Sequence, residues 1–340
     1  MAAFYDARGN TYFVTSPEEI RGFADLPRTA AEAARTRERW ARRAIERICG
    51  RRNVSEGIAT GGAKRYRSDG LLVGPFPDEH AFALLIVNTD GTLAERSGNG
   101  LTIFSQCLTD CGRAKRSEAF FLRVYHDTPE SPIVEARIEA GKREGHEGFW
   151  IDMGVPTYGL AAVGAAPEHV GVSEFDGRMV ARVFELEKIE ASWACSQFVN
   201  VGNPHCVTFL KSPELLPSME QLGSGKWMPR LSAIANSTES DGIRGAGRPC
   251  KNGINLQWAC VIGPDSIEAR VFERGEGPTL SSGSSATAVA SAARRLALLD
   301  ADTVNVRMPG GVAPVRFDEC NGSLARVMLF GEAQQANPPV

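Results

Sequence analysis

SIEARVFERGEGPTLSSGSSATAVASAARRLALL, residues 266–299, decides the fold. Its first eight residues alternate, with Ile267, Ala269 and Val271 apolar between polar neighbours, which is the signature of a strand. RGEGPTLS follows as a glycine-bearing turn. Ser282-Gly283-Ser284-Ser285 then opens a helix in which Ala286, Val289, Ala290, Ala293 and Leu296 form the inward stripe. The same grammar occurs upstream in AFALLIVNTDGTLAERSGNGLTIFSQCLTDCG, residues 81–112. There the strand is AFALLIVN, the turn TDGTLAER and the helix start Ser97-Gly98-Asn99-Gly100. Leu101, Phe104 and Leu108 keep helical spacing, and Gly112 is the stop. The two serines lie 185 positions apart (282 less 97), so this is a duplication at domain scale and not a solenoid period. Ser-Gly before a helix is an ordinary N-cap. Its occurrence twice, the second time beside Glu273-Arg274, points to a site. Two helix N-termini offer two sets of free N–H groups, a fitting cradle for a carboxylate.

Outward from these units, FYDARGNTYFVT reads as a strand broken at Gly9-Asn10 and resumed through Tyr12, Phe13 and Val14. TAAEAARTRERWARRAIERICGRR, from residue 29, reads as one long arginine-rich helix. Its cationic face fits a phosphate or RNA patch less well than a solvated surface with Trp40, Ala44, Ile45 and Ile48 turned inward, because the rest of the chain is not basic. EGIATGGAKRYRSDG reads as a loop.

The composition fits a soluble globular protein. The 340 residues carry 38 Lys+Arg against 41 Asp+Glu, a net charge of -3 that gives no electrostatic case for nucleic acid or an anionic membrane. Apolar runs stay far short of the roughly 20 residues of a membrane span. The N-terminus lacks a basic region followed by an apolar run, so no signal peptide is expected. Eight cysteines at irregular spacing, with no CxxC pair, suggest a reducing, cytoplasmic setting rather than a disulfide framework or a metal site.

Several blocks together resemble the diaminopimelate epimerase family and its cofactor-independent relatives. They are SDGLL (68–72), NTDGTLAERSGNG (88–100), DMGVP (152–156), VGNPH (201–205), ERGEGPTLSSGS (273–284) and VRMPGG (306–311). Residues 28–66 match poorly and read as an elaboration. The resemblance implies an α+β fold of two similar lobes, each a mostly antiparallel sheet around a central helix. The expected first lobe is 1–129 completed by 323–340, and the second is 130–322. An amino-acid substrate would lie between the lobes, and a homodimer in lysine and cell-wall precursor metabolism is implied. Neither a metal nor a cofactor is.

The family's amino-acid-binding positions fall on Asn10, Asn88, Asn203, Asn255, Glu273 and Arg274, with Gly98, Asn99, Gly283 and Ser284 at the helix starts. Arg274 can hold a carboxylate with two hydrogen bonds, while Glu273 and asparagine carbonyls can accept from an ammonium group. A turn role is a fair reading for Asn10 and Asn203, which follow Gly9 and Gly202.

The family moves an α-proton between two opposed cysteines. Here both positions are serine, Ser97 and Ser282, and the usual second glycine of the later block is Ser285. A hydroxyl is a far weaker base than a thiolate and needs a neighbouring base. The resemblance supplies His205 for Ser97 and Glu273 for Ser282, as relays or as direct bases. Three readings fit the serines: a substituted form that traps ligand, a branch with another substrate or a one-base isomerase or dehydratase reaction, and an amino-acid binder without turnover. Ser285, Thr11 and the 28–66 segment extend the departure beyond two positions and favour a divergent branch.

Overall fold

The computed structural model describes residues 2–50, 66–78, 80–128, 133–240, 243–339. Part of the expected loop at 56–70 lies outside them. The chain divides into two compact units, Met1–Asp152 with Phe330–Val340, and Met153–Leu329. Residues 133–152, expected in the second lobe, count with the first, because the hairpin Val134–Arg143 and His146–Asp152 pairs onto Phe120–Val124. Residues 323–329, expected in the first, count with the second, where Ser323–Gly331 pairs with Gly311–Cys320.

In the first unit Ala3–Ala7 and Asn10–Thr15 form an antiparallel hairpin. The two-residue turn is Arg8-Gly9, both at positive φ (56° and 87°), as a tight hairpin turn requires. The turn therefore falls one residue earlier than expected, and Asn10 opens the second strand. Asn10–Thr15 runs parallel to Gly70–Phe76, which pairs antiparallel with Phe82–Asn88, which in turn runs parallel to Phe120–Val124. Alternation divides these strands between two faces. Leu71, Val73, Leu85 and Val87 join Trp40, Ala44, Ile45 and Ile48 in one buried cluster. The opposite face is covered by the helix Gly98–Asp110, where Leu101, Phe104 and Leu108 are buried.

The arginine-rich segment is thus the outer cover of this sheet, with Arg42, Arg43 and Arg47 exposed. It is not one helix. Ala30–Arg35 stops at Thr36, whose hydroxyl donates back to the Glu32 carbonyl at 2.8 Å, and Ala41–Cys49 restarts after a short turn. The buried Trp40 indole donates to the Ala33 carbonyl and ties the two pieces together. A threonine bonding to its own backbone competes with helix continuation.

The second unit repeats the order. Pro204–Phe209 runs parallel to Asn255–Gly263, which pairs antiparallel with Ser266–Glu273, which runs parallel to Thr303–Met308. The helix Gly283–Arg295 packs against these strands and is buried along Ser285–Ala293 on every side. Alanine and serine keep it slim enough for a sheet to wrap. Leu256 and Trp258 lie on the outer face, where Trp193 and the short helix Met228–Ala235 pack into one cluster with them. Among the described residues no helix is long and apolar enough to cross a membrane. The architecture is α+β, with a mostly antiparallel sheet around a central helix in each unit.

Candidate active site

Each unit carries its own half-site, at the N-terminus of its central helix. In the first, Ser97 is the N-cap and its Oγ accepts from Gly100 N at 3.0 Å. The Tyr12 hydroxyl lies 3.4 Å from the same oxygen. Tyr12 reaches it because Gly70 is opposite in the sheet: a Cβ there would sit 2.6 Å from the tyrosine ring and 2.7 Å from the Val87 carbonyl. Gly70 pairs in turn with Asn88. The Asn88 side chain donates to Thr92 Oγ1 at 2.9 Å, so it braces its own turn. Asn10 and Asn99 are half-buried beside these elements, and Gly98 begins the helix.

In the second, Ser282 is the N-cap, 6% exposed, and its Oγ accepts from Ser285 N at 3.3 Å. Its own hydrogen goes to Glu273 Oε1 at 2.6 Å. Burial pushes the Glu273 carboxyl up to about 7, with the negative charge of Glu276 adding to it and the hydrogen bond from Ser282 opposing. A carboxyl titrating near neutrality can both take and return a proton.

Gly283 and Ser284 follow, with Ser284 Oγ 3.5 Å from Ser282 Oγ and accepting from Asn203 Nδ2 at 3.5 Å. Asn203 Oδ1 meets His205 Nε2 at 2.8 Å, and His205 Nδ1 meets Gln257 Nε2 at 2.9 Å. Both nitrogens of this fully buried ring are therefore engaged within its own unit. Burial pushes the His205 imidazole down to about 3, the hydrogen bond from Gln257 opposes that, and the Arg274 charge lowers it further. His205 is neutral at physiological pH.

Asn255 is a strut: its Nδ2 donates to the Pro204 carbonyl at 3.1 Å and its Oδ1 accepts from Arg274 N at 3.0 Å. The exposed Arg274 guanidinium donates to the Asn252 carbonyl.

Three neighbours escaped the sequence reading. Tyr12 stands two residues from Asn10, and Gln257 two from Asn255. Strand alternation puts each on the same face as its asparagine, and that period was the available signal. Asn236, whose Oδ1 accepts from Gly275 N at 2.9 Å and steadies the turn after Arg274, carries no such signal. The cysteines stand apart from both helix starts. All eight are free, and burial pushes Cys206 up to about 12, as it does Cys107, whose neighbour Cys111 adds to the rise.

The family model for diaminopimelate epimerase matches residues 197–335. Diaminopimelate epimerase 2 of Nostoc sp. is 31% identical over 310 residues, covering 90% of this chain and 85% of the relative. The diaminopimelate epimerase of Burkholderia ambifaria is 28% identical over 267 residues, with 77% and 79% covered. Among solved structures, a phenazine biosynthesis protein of the PhzF family from Bacillus anthracis superposes with a TM-score of 0.58 at 11% identity, covering 99% of this chain and 96% of its own. A probable proline racemase from Agrobacterium radiobacter K84 does so at 0.57 and 13%, with 98% and 90% covered. At these identities the structures speak for the fold alone.

Fold, site and relatives together define an isomerase of the cofactor-independent epimerase class. The chain belongs to the diaminopimelate epimerase family.

Proposed function

We propose that this protein inverts the α-carbon of diaminopimelate or a close amino-acid analogue, with Ser282 and Ser97 as its two proton-handling groups. The observation that carries the reading is the 2.6 Å bond from Ser282 to a glutamate poised near neutrality. A serine hydroxyl cannot remove an α-proton unaided, and Glu273 is the base it needs. As the C–H bond breaks, Ser282 Oγ takes the proton while its own hydrogen passes to Glu273. The electron pair moves toward the substrate carboxylate, which the Gly283 and Ser284 N–H groups, Asn203 and Arg274 hold and stabilise. Inversion needs a second proton donor, and Ser97, replenished by the Tyr12 hydroxyl beside it, fits that role. The reverse reaction uses the same groups in opposite roles. Asn10, Asn88 and Asn99 belong to the Ser97 half-site and Asn255 to the Ser282 half-site. The names of the relatives support diaminopimelate as the substrate, and a cytoplasmic homodimer in lysine and cell-wall precursor synthesis completes the proposal.

Incubating one stereoisomer of diaminopimelate in D2O tests it. The expected result is one deuterium at the α-carbon together with the opposite configuration. Exchange with retained configuration would point to one-base chemistry, and binding without exchange would reduce the protein to a binder.

A further inference from the structure

The buried contact between Gln257 and Ser285 has no place in the chemistry above, and Ser285 stands where the family resemblance expects glycine. Gln257 is 0% exposed, and its Nε2 lies 2.9 Å from His205 Nδ1 and 3.0 Å from Ser285 Oγ. Its Oε1 is buried with no hydrogen-bond partner among the described residues.

Counting hydrogens fixes the direction of the network. With Nε2 in this position, both amide hydrogens find acceptors and one oxygen is left over. With the amide turned round, two N–H hydrogens would be stranded instead, and buried orphan donors are the rarer and costlier outcome. His205 Nδ1 therefore accepts, its hydrogen sits on Nε2, and it donates to Asn203 Oδ1 at 2.8 Å. That bond consumes the Asn203 carbonyl and turns its NH2 toward Ser284, at the helix start. A second proton on His205 would set a donor against a donor at Gln257. Ser285 supplies the second acceptor that keeps the Gln257 amide from turning.

We propose that Gln257, braced by Ser285, is a positioning residue that holds His205 in its neutral Nε2–H form, so that Asn203 presents its amide hydrogens to the substrate carboxylate. His205 is then itself a positioning residue, with no lone pair free to act as a base. This deepens the amino-acid reading of the second half-site and rests on it. The low affinity of His205 for a second proton agrees with the geometry.

The test is Gln257→Glu, an isosteric change that removes both donors and offers Nδ1 an acceptor. Long-range proton–nitrogen NMR of the labelled protein reports the form of the ring, with His205→Gln assigning the signal. The wild-type ring is expected to stay neutral with its hydrogen on Nε2 from about pH 5 to about 8. In Gln257→Glu the hydrogen should appear on Nδ1, and the KM for meso-diaminopimelate should rise about tenfold with a smaller change in kcat. A wild-type imidazolium or Nδ1–H ring in that range overturns the proposal, as does a KM within about twofold of wild type in a folded Gln257→Glu. The ring measurement on wild-type protein needs no variant and no turnover. A neutral Nε2–H ring in a protein that neither binds nor turns over diaminopimelate would sustain the tautomer assignment and sink the functional reading alone.

Discussion

The two Ser-Gly helix starts share one local grammar and hold unequal chemistry. Both serines cap a helix from an extended backbone and accept from the N–H three residues on. Matching strands bring Tyr12, Gly70 and Asn88 to one cap and His205, Asn255 and Glu273 to the other, in the same parallel and antiparallel order. In the first unit that row supplies a tyrosine, a glycine and an asparagine tied into its own turn. In the second it supplies a carboxyl pushed up to about 7 and bonded to the serine. Duplication copies a backbone frame, and the side chains on its inner face decide which copy carries the titrating proton.

Substitutions that break one half at a time test this contrast. Glu273→Gln removes the base and is expected to lower kcat by about 10²- to 10⁴-fold, whereas Tyr12→Phe should cost about tenfold or less. Equal losses in steady-state kinetics would erase the contrast. The next largest effect is on stability. The folded Glu273 carboxyl holds its proton more tightly than an unfolded one, so it withdraws stability as pH rises from about 4.5 to about 7, by a total on the order of 3 kcal/mol. Urea midpoints should show Glu273→Gln gaining on wild type across that window. His205 works in the opposite sense as pH falls below about 6.5, and it cancels in the comparison because both proteins contain it. The smallest effect separates the caps. Ser97→Ala should cost about 1 kcal/mol of stability as a plain cap loss. Ser282→Ala at neutral pH should cost more, because it also strips Glu273 of its donor, and thermal unfolding of the pair measures the gap.

Much of this was legible in the residues. Both strand–turn–helix units follow from alternation, turn glycines and caps, because each of those signals acts within a few positions. Trp40, Ala44, Ile45 and Ile48 were readable as an inward stripe for the same reason. The break at Thr36 was not, since it depends on a hydroxyl choosing a backbone carbonyl over continued helix. Among the site residues, the pairing of Glu273 with Ser282 came from the family resemblance, and the two are hydrogen-bonded. Neither the engagement of both His205 nitrogens nor the bracing role of Asn88 and Asn255 was legible, because each depends on a partner chosen in three dimensions. Gln257 shows this most sharply: alternation places it beside Asn255, yet its importance comes from His205 and Ser285, 52 and 28 positions away.

The most direct test of the account is the pH dependence of deuterium entry at the α-carbon of diaminopimelate, measured for wild type and Glu273→Gln. Wild type should exchange with inversion, its rate rising through a limb near pH 7 as Glu273 loses its proton. In Glu273→Gln that limb should vanish along with most of the exchange. An undiminished exchange rate in Glu273→Gln, or a limb that persists at the same pH, would contradict the assignment of the titrating proton to the Ser282 half-site.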